Sequence, residues 1–521
     1  MPGRRSQRRN PSSLPRDSPP SRVKRRYFTR TTPSPLLQLD DALLRNCVQW
    51  LPPSARINAT ACSKKFRDAL SSSCNRDHLH LHGFLRSTHT LLERCPVAEL
   101  EIDCGSCTGG FSDNAFETAL RSSMSQTTSL TLVTDDHDCE NQHHVDSVPA
   151  VQSLARAAVM HGVPKLERLE LRGVMYWNRR VSCALRNALR GRSSTCLQRL
   201  RSLTIDVPKH GVFTSLHLAL SSLPHTLETL KLTGDGETAG AILDQALLAL
   251  FNSLGGGKRC PELTMLNVAG CVSGNEVSVA LSEAMDAEGG LSKLTCLDVS
   301  RCGWTRLTEI AEALGKGRCP VMEDLSLSRN KTGSEGMDSV SAALAAGALG
   351  KLKSLSLSWI DPSVDLSLKA IADGMSSQSF PELTSLHLEQ EWLGSAAAKD
   401  VARLISSGCC PALRALKLDS RQCHHSVPRG CTGLARVVNA LGEKCPKLEE
   451  LSITNYKLDE EDWESIATSL RQGGFGNLQK LDASNDLVAT PSARVVELLL
   501  DVVGSDALPS LVHLGMAGCK G

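Results

Sequence analysis

The chain is 521 residues long, with 41% hydrophobic, 22% charged and only 3% aromatic residues, and a net charge of +2. A single hydrophobic core stops growing near about 250–300 residues. This length therefore excludes one compact core and leaves either several domains or a repeat array that grows by addition. The 20 cysteines are too thinly spread for a disulfide scaffold. Many precede a Pro (Cys95, Cys260, Cys319, Cys410, Cys445) or close a short apolar phrase (Cys271, Cys302, Cys519), which predicts buried free thiols.

Residues 1–34 hold nine Arg and one Lys against a single acid, Asp17, so this tail carries +9 and the remaining residues about −7. The body thus offers no basic surface for nucleic acid. The tail is rich in Arg, Ser and Pro and poor in apolar groups, which predicts disorder. RRSQRR at 4–9 and KRR at 24–26 read as a two-part nuclear import signal, as an organelle transit peptide, or as a solvated tail with no address. The expected localisation is cytoplasm, nucleus or both. No apolar core of a secretory signal is visible, and no stretch is long enough to span a membrane. The best apolar run, Val495–Val503, contains Glu497 and Asp501.

Residues 35–75 form a second unit. Leu39, Leu43, Leu44, Cys47, Val48 and Leu51 lie at helical spacing, Pro52 and Pro53 end that helix, and a second helix starts near Ser54 with Ile57, Ala61, Cys62 and Phe66. Such a hairpin has too little core to stand alone. It leans on the next unit, as a cap for the end of an array, or on another protein. The stretches LDDALLRNCVQWLPP (39–53) and ACSKKFRDAL (61–70) resemble an F-box, in order and at matching spacing. The departures are Asp40 where a Pro is usual, Ala61 for a Val and Phe66 for a Trp. The resemblance implies that Leu39, Leu43, Leu44, Val48, Leu51, Pro52, Ile57 and Phe66 bury against a Skp-type adaptor, which links to a cullin scaffold.

From residue 76 to 521 one phrase returns about every thirty residues. Written L-x-x-L-x-L, its second Leu falls at Leu169, Leu203, Leu230, Leu266, Leu297, Leu325, Leu355, Leu386, Leu416, Leu451, Leu481 and Leu514, with weaker copies at Leu100 and Leu130. These make about fourteen units. Each phrase is too short for a helix and alternates apolar with polar, which predicts a one-sided strand. HLHLH at 78–82 alternates likewise and suits an edge strand with Leu79 and Leu81 inward. Between phrases the period changes to 3.6. Leu307, Ile310, Ala311 and Leu314 share a helix face, as do Val277, Ala280, Leu281 and Ala284, and Leu434, Val437, Val438 and Leu441. Trp463, Ile466, Ala467 and Leu470 repeat the spacing. Gly315, Gly374, Gly442 and Gly473 are read as helix stops.

One strand and one helix cannot bury their own apolar faces, but stacked copies can. The predicted fold is an α/β solenoid: a horseshoe with a parallel concave sheet, outer helices and a small helical domain in front. The pattern C-P-x-L-x-x-L-x-L-x-x-[NC] over roughly 95–521 resembles leucine-rich repeats, of the ribonuclease-inhibitor-like length and with the cysteines of the cysteine-containing subclass. An F-box preceding leucine-rich repeats is a known family architecture.

On the concave face the residues between paired strand leucines are Asp298, Ser326, Ser356, His387, Lys417, Ser452 and Asp482, small and mixed in sign. Trp304, Trp359 and Trp392 follow strands, where they contact a target or pack as an aromatic rung. The candidate target-binding set is Trp304, Trp359, Trp392, His387 and Lys417. GGGKR at 255–259 lacks the first Gly and the hydroxyl of a phosphate loop and is read as a turn. CGSC at 104–107 has no second pair to complete a zinc site, and DDHDCENQHHVD at 135–146 is read as a polar insertion rather than a metal site. No metal, cofactor or catalytic set is predicted.

The resemblances imply a substrate-recognition subunit of an SCF-type cullin ubiquitin ligase, binding a protein target through its repeats, with no membrane or nucleic-acid partner. A Ran-directed GTPase activator is the alternative, although such proteins lack a leading F-box and usually carry an acidic tail, whereas LVHLGMAGCKG ends within a repeat. A plain binding scaffold with the hairpin as a cap is the third reading.

Overall fold

The computed structural model of the chain describes residues 78–82, 98–103, 127–134 and, with short interruptions, 151–516. The adaptor set Leu39 to Phe66, both organelle-signal candidates, the CGSC and DDHDCENQHHVD stretches, and Trp359 and Trp392 lie outside the described residues.

The strands are β1 (His78–His82), β2 (Glu99–Asp103), β3 (Ser129–Val133), β4 (Arg168–Arg172), β5 (Ser202–Val207), β6 (Thr229–Gly234), β7 (Met265–Asn267) and β8 (Cys296–Asp298). They continue with β9 (Asp324–Ser326), β10 (Ser354–Ser358), β11 (Ser385–Gln390), β12 (Ala415–Ser420), β13 (Glu450–Ser452), β14 (Lys480–Asp482) and β15 (His513–Gly515). The helices among the described residues are α1 (Arg179–Arg190), α2 (Leu216–Leu220), α3 (Ala241–Gly255), α4 (Asn275–Asp286), α5 (Thr308–Gly315) and α6 (Ser334–Ala345). They continue with α7 (Ser367–Ser376), α8 (Ser395–Ser406), α9 (Leu434–Lys444), α10 (Glu460–Arg471) and α11 (Ala493–Val503).

All the strands belong to one 15-stranded sheet, ordered β1 to β15 as in the chain, and each neighbouring pair is parallel. A parallel neighbour demands a crossover, and from β4 onward a helix supplies most of these connections. The recurring Leu forms a single column. Leu325 pairs in register with Leu355 and Leu355 with Leu386, and the column runs on through Leu416, Leu451, Leu481 and Leu514. At the other end Leu79 of β1 pairs with Leu100, so the alternating HLHLH stretch adds a strand ahead of the fourteen phrases. From Leu100 to Leu481 every member of the column is at most 3% exposed. Each such side chain contributes about 1.5–3 kcal/mol on burial. A one-residue slip would turn the whole set outward, so the register is strongly specified.

The helical faces close the other side of the core. Val277, Ala280, Leu281 and Ala284 of α4, Ile310, Ala311 and Leu314 of α5, and Leu434, Val437, Val438 and Leu441 of α9 are buried, as is Trp463 of α10. Strands stack about 4.8 Å apart and helices about 8–10 Å. The sheet therefore takes the inner arc and the helices the outer one.

Side chains stitch each unit to the one before. Cys271 donates to the Leu232 carbonyl at 3.2 Å, Cys302 to the Val268 carbonyl at 3.2 Å, and Asn330 Nδ2 to the Val299 carbonyl at 2.9 Å. The position written [N or C] in the repeat thus has one task, met by an amide or a thiol. The cysteine before Pro does the same at the other end of the strand: Cys260 donates to the Pro224 carbonyl at 3.3 Å and Cys319 to the Leu291 carbonyl at 3.5 Å. The cysteines of the described residues are free, and burial pushes the Cys271 and Cys319 thiols up to about 12.

The glycines differ from the expected stops. Gly315 is the last residue of α5, Gly374 and Gly442 lie inside α7 and α9, and of the four only Gly473 follows a helix with a left-handed backbone, φ 100°. A β-carbon on Gly374 would meet the Ser341 carbonyl oxygen at 2.4 Å, and one on Gly442 would meet that of Gly473 at 2.7 Å. These residues are small because the neighbouring helical unit approaches closely.

Candidate functional site

The open face of the sheet is lined by the residues that alternate with the buried leucines. Asp298, Ser326, Ser356, His387, Lys417 and Asp482 are half-exposed there, while Ser452 is nearly buried at 6%. They form one row in register: Asp298 beside Ser326, Ser326 beside Ser356, then His387, Lys417, Ser452 and Asp482. His387 and Lys417 are therefore neighbours on adjacent strands.

Trp304 is elsewhere. It is fully buried, its indole Nε1 donates to Ser273 Oγ at 2.8 Å, and its backbone N–H donates to Asn330 Oδ1 at 3.3 Å. This corrects its place among the target contacts. The loop leaving β8 curls inward toward the Asn330 side chain and carries the ring into the core.

Around His387 the hydroxyl-rich strands build a chain of polar contacts. Ser328 and Ser356 share a hydrogen bond at 2.7 Å, and Ser356 Oγ lies 3.3 Å from His387 Nδ1. His387 Nε2 sits 3.3 Å from Asp419 Oδ2, an ion-pair distance but off the line of a hydrogen bond. Asp419 Oδ1 accepts from Ser452 Oγ and Thr454 Oγ1, each at 2.8 Å. Burial would raise the Asp419 carboxyl, but His387, Ser452 and Thr454 outweigh it and hold the group at about 2. Next to it Glu450 bridges Lys480 at 2.7 Å and Lys417 at 3.5 Å. The penalty of burial is again outweighed, and its carboxyl is held below the usual range.

Ser356, His387 and Asp419 lie in the order of an acyl-transfer relay. An oxyanion hole, however, needs free N–H donors aimed at the reacting oxygen. The amides of β10, β11 and β12 are engaged in the parallel ladder. The arrangement is suited to holding a polar partner, with both imidazole edges, two hydroxyls and a fixed carboxylate on one surface.

Toward β2 the face is a mosaic. Arg168 pairs with Glu99, Arg172 with Glu170 at 2.8 Å, and Thr233 donates to Asp206 at 2.6 Å. A shallow polar cavity of about 280 Å³ lies at the edge of β4 to β6 between Arg168 and Arg201, the latter paired with Glu228. Of the GGGKR stretch, Gly255 ends α3 and Gly256 turns out of it, while Gly257 and Lys258 lie outside the described residues. Among the described residues no group of three or more His, Cys, Asp or Glu could hold a metal ion. No described helix is long and apolar enough to cross a membrane.

Sequence reading found His387 and Lys417 but missed Asp419, Thr454 and Ser328. These stand one alternation further along the strand, past the L-x-L phrase. Extending the alternation by two residues would have found them.

An open parallel sheet in chain order, backed by helices and stitched unit to unit, defines an α/β solenoid. Comparison with protein-family models matches residues 36–78 to the F-box domain. The chain therefore carries an F-box domain ahead of its solenoid. No curated protein matches the chain.

Proposed function

We propose that this chain is the substrate-recognition subunit of an SCF-type cullin ubiquitin ligase. The observation that carries the reading is the F-box match at 36–78 directly before a solenoid with an open polar face. In this reading Leu39, Leu43, Leu44, Val48, Leu51, Pro52, Ile57 and Phe66 bury against a Skp-type adaptor, and the adaptor docks on a cullin. The repeats are leucine-rich repeats of the ribonuclease-inhibitor-like, cysteine-containing kind. Their face, centred on His387, Lys417 and Asp419, holds a protein target. The chain performs no chemistry of its own. It raises the effective concentration of the target near a ubiquitin-loaded enzyme and sets its orientation.

The test is a pull-down of the full chain with the adaptor, comparing wild type with Leu43→Asp plus Leu51→Asp. The reading expects capture by wild type and loss in the double variant with an unchanged circular-dichroism spectrum. No capture by wild type would overturn it.

A further inference from the structure

Helix α8 ends at Ser406, and the chain turns toward β12 through Gly408, which takes a left-handed backbone, φ 70°. The turn brings Cys409 and Cys410 together, with their sulfurs 3.4 Å apart. Cys410 precedes Pro411 and so holds the position from which Cys260 and Cys319 reach a carbonyl of the preceding repeat. Its sulfur meets Cys409 instead. The backbone keeps the link to the preceding repeat: the Phe380 N–H donates to the Cys409 carbonyl at 2.8 Å. That carbonyl belongs to the peptide that Cys409 and Cys410 share.

The pair lies just under the surface. Cys409 and Cys410 are 5% and 4% exposed, whereas Cys271 and Cys302 are at 0%. Ser406, Ser407 and Gly408 before the pair and Pro411 after it are exposed, and a β-carbon on Gly408 would meet nothing within 4 Å. The two thiols also differ in character. The Cys410 thiol, donating to the Cys409 sulfur, holds the Cys409 thiol below its usual range against the effect of burial, with help from Ser407. The same contact, together with burial, pushes the Cys410 thiol up. For Cys271 and Cys302 burial dominates and raises both. A thiol that ionises readily, lies near the surface and has a second thiol within reach is the kind that oxidises reversibly.

We propose that Cys409 and Cys410 form a redox site that reacts with a small hydroperoxide and closes reversibly to a disulfide. The Cys409 thiolate attacks one peroxide oxygen and breaks the O–O bond. Its sulfur becomes a sulfenic acid, and the leaving hydroxide takes up the thiol's proton as water. The Cys410 sulfur then displaces the sulfenic oxygen, which leaves with the Cys410 proton as a second water. Both sulfurs are oxidised and the peroxide is reduced. Adjacent Cα atoms are about 3.8 Å apart across a trans peptide, below the usual span of about 4.4–6.8 Å in a disulfide. The ring is therefore strained, and a dithiol reductant opens it readily. Closing it turns the shared peptide, so that the Cys409 carbonyl releases the Phe380 N–H. Oxidation thus loosens the seam between the repeats that carry His387 and Lys417. The site goes beyond the reading above and does not depend on it.

The test treats the reduced full chain with hydrogen peroxide, blocks the remaining thiols with iodoacetamide in urea and digests with trypsin. Residues 404–414 hold both cysteines and no Lys or Arg before Arg414, so they come out as one peptide. After peroxide this peptide is expected two hydrogens lighter and unalkylated, and after dithiothreitol it takes two alkyl groups. Cys271 and Cys302 oxidise at least roughly tenfold more slowly. The melting temperature of wild type falls on oxidation and returns on reduction, while that of Cys409→Ser does not respond to peroxide. In Cys410→Ser the reaction stops at the sulfenic acid of Cys409, which dimedone labels, and Cys409→Ser gives no label at Cys410. The proposal is overturned if the peptide still takes two alkyl groups after peroxide, if Cys271 and Cys302 oxidise as fast, or if the oxidised chain melts as the reduced one does. A dimedone label on Cys410 in Cys409→Ser equally overturns it, because the order of attack would then be wrong.

Discussion

Gly234 and Gly270 pass each other with no room for a side chain on either. A β-carbon on Gly270 would lie 2.1 Å from the Gly234 carbonyl oxygen, and one on Gly234 would lie 2.3 Å from that of Gly270. The contact is backbone on backbone and cannot yield by a rotamer change. Gly270→Ala also forces alanine to φ 74°. The expected cost is about 2–4 kcal/mol, read as a lowered denaturant midpoint. Gly256→Ala, where the nearest atom would be 3.9 Å away, should be close to neutral.

Trp304 separates packing from recognition. Trp304→Phe removes the indole donor to Ser273 and should cost about 1 kcal/mol. Trp304→Ala opens a cavity and should cost about 3–5 kcal/mol. Target capture by the folded Phe variant should equal that of wild type. Weaker capture with unchanged stability would return Trp304 to the contact surface.

Asparagine and cysteine should be partly exchangeable in the ladder. Asn330 Nδ2 donates to the Val299 and Leu327 carbonyls, and its Oδ1 accepts from the Trp304 N–H. Asn330→Ala leaves these buried groups unmet, at about 2–3 kcal/mol. Asn330→Cys should recover part of that loss by making the bond to the preceding repeat that Cys302 makes one repeat earlier. Equal melting temperatures for the two variants would show that the position only fills space.

Asp419 sets an acid limit. Its carboxyl is held at about 2 in the fold against about 3.9 in an unfolded chain. A depressed acid stabilises the fold above its unfolded value and loses that contribution as pH falls toward the folded one. The window is therefore about pH 4 down to 2, and the contribution about 2 kcal/mol. Asp419→Asn should lower stability at pH 7 and flatten the pH dependence in that window. An unchanged acid-unfolding curve would contradict the network around His387.

Much of this architecture was legible because leucine spacing carries it. The column from Leu100 to Leu514 and the 3.6-period faces of α4, α5, α9 and α10 follow from burial on one side alone. The F-box match at 36–78 was legible in the stretches LDDALLRNCVQWLPP and ACSKKFRDAL, despite Asp40 and Phe66. Two things were not. Gly374 and Gly442 look like stops, since a helix-ending glycine and a close-packing glycine have the same letter and differ only in the neighbour they face. Trp304 looks like a loop residue, since the hydrogen bonds that hold it inward run to Asn330 in the following repeat and to Ser273 in the preceding one. The site was half legible for a related reason: Asp419 matters through His387 on another strand, a relation no single phrase contains.

The strictly sequential sheet bears on how the molecule would yield to force. Among the described residues strand β8 pairs with β7 and β9 and with no other strand, and the same order holds along the array, so no pairing among them joins the first rung to the last. Pulled by its two ends, such a body has no central lock to break. It would peel one rung at a time, and the rungs left behind would still be whole.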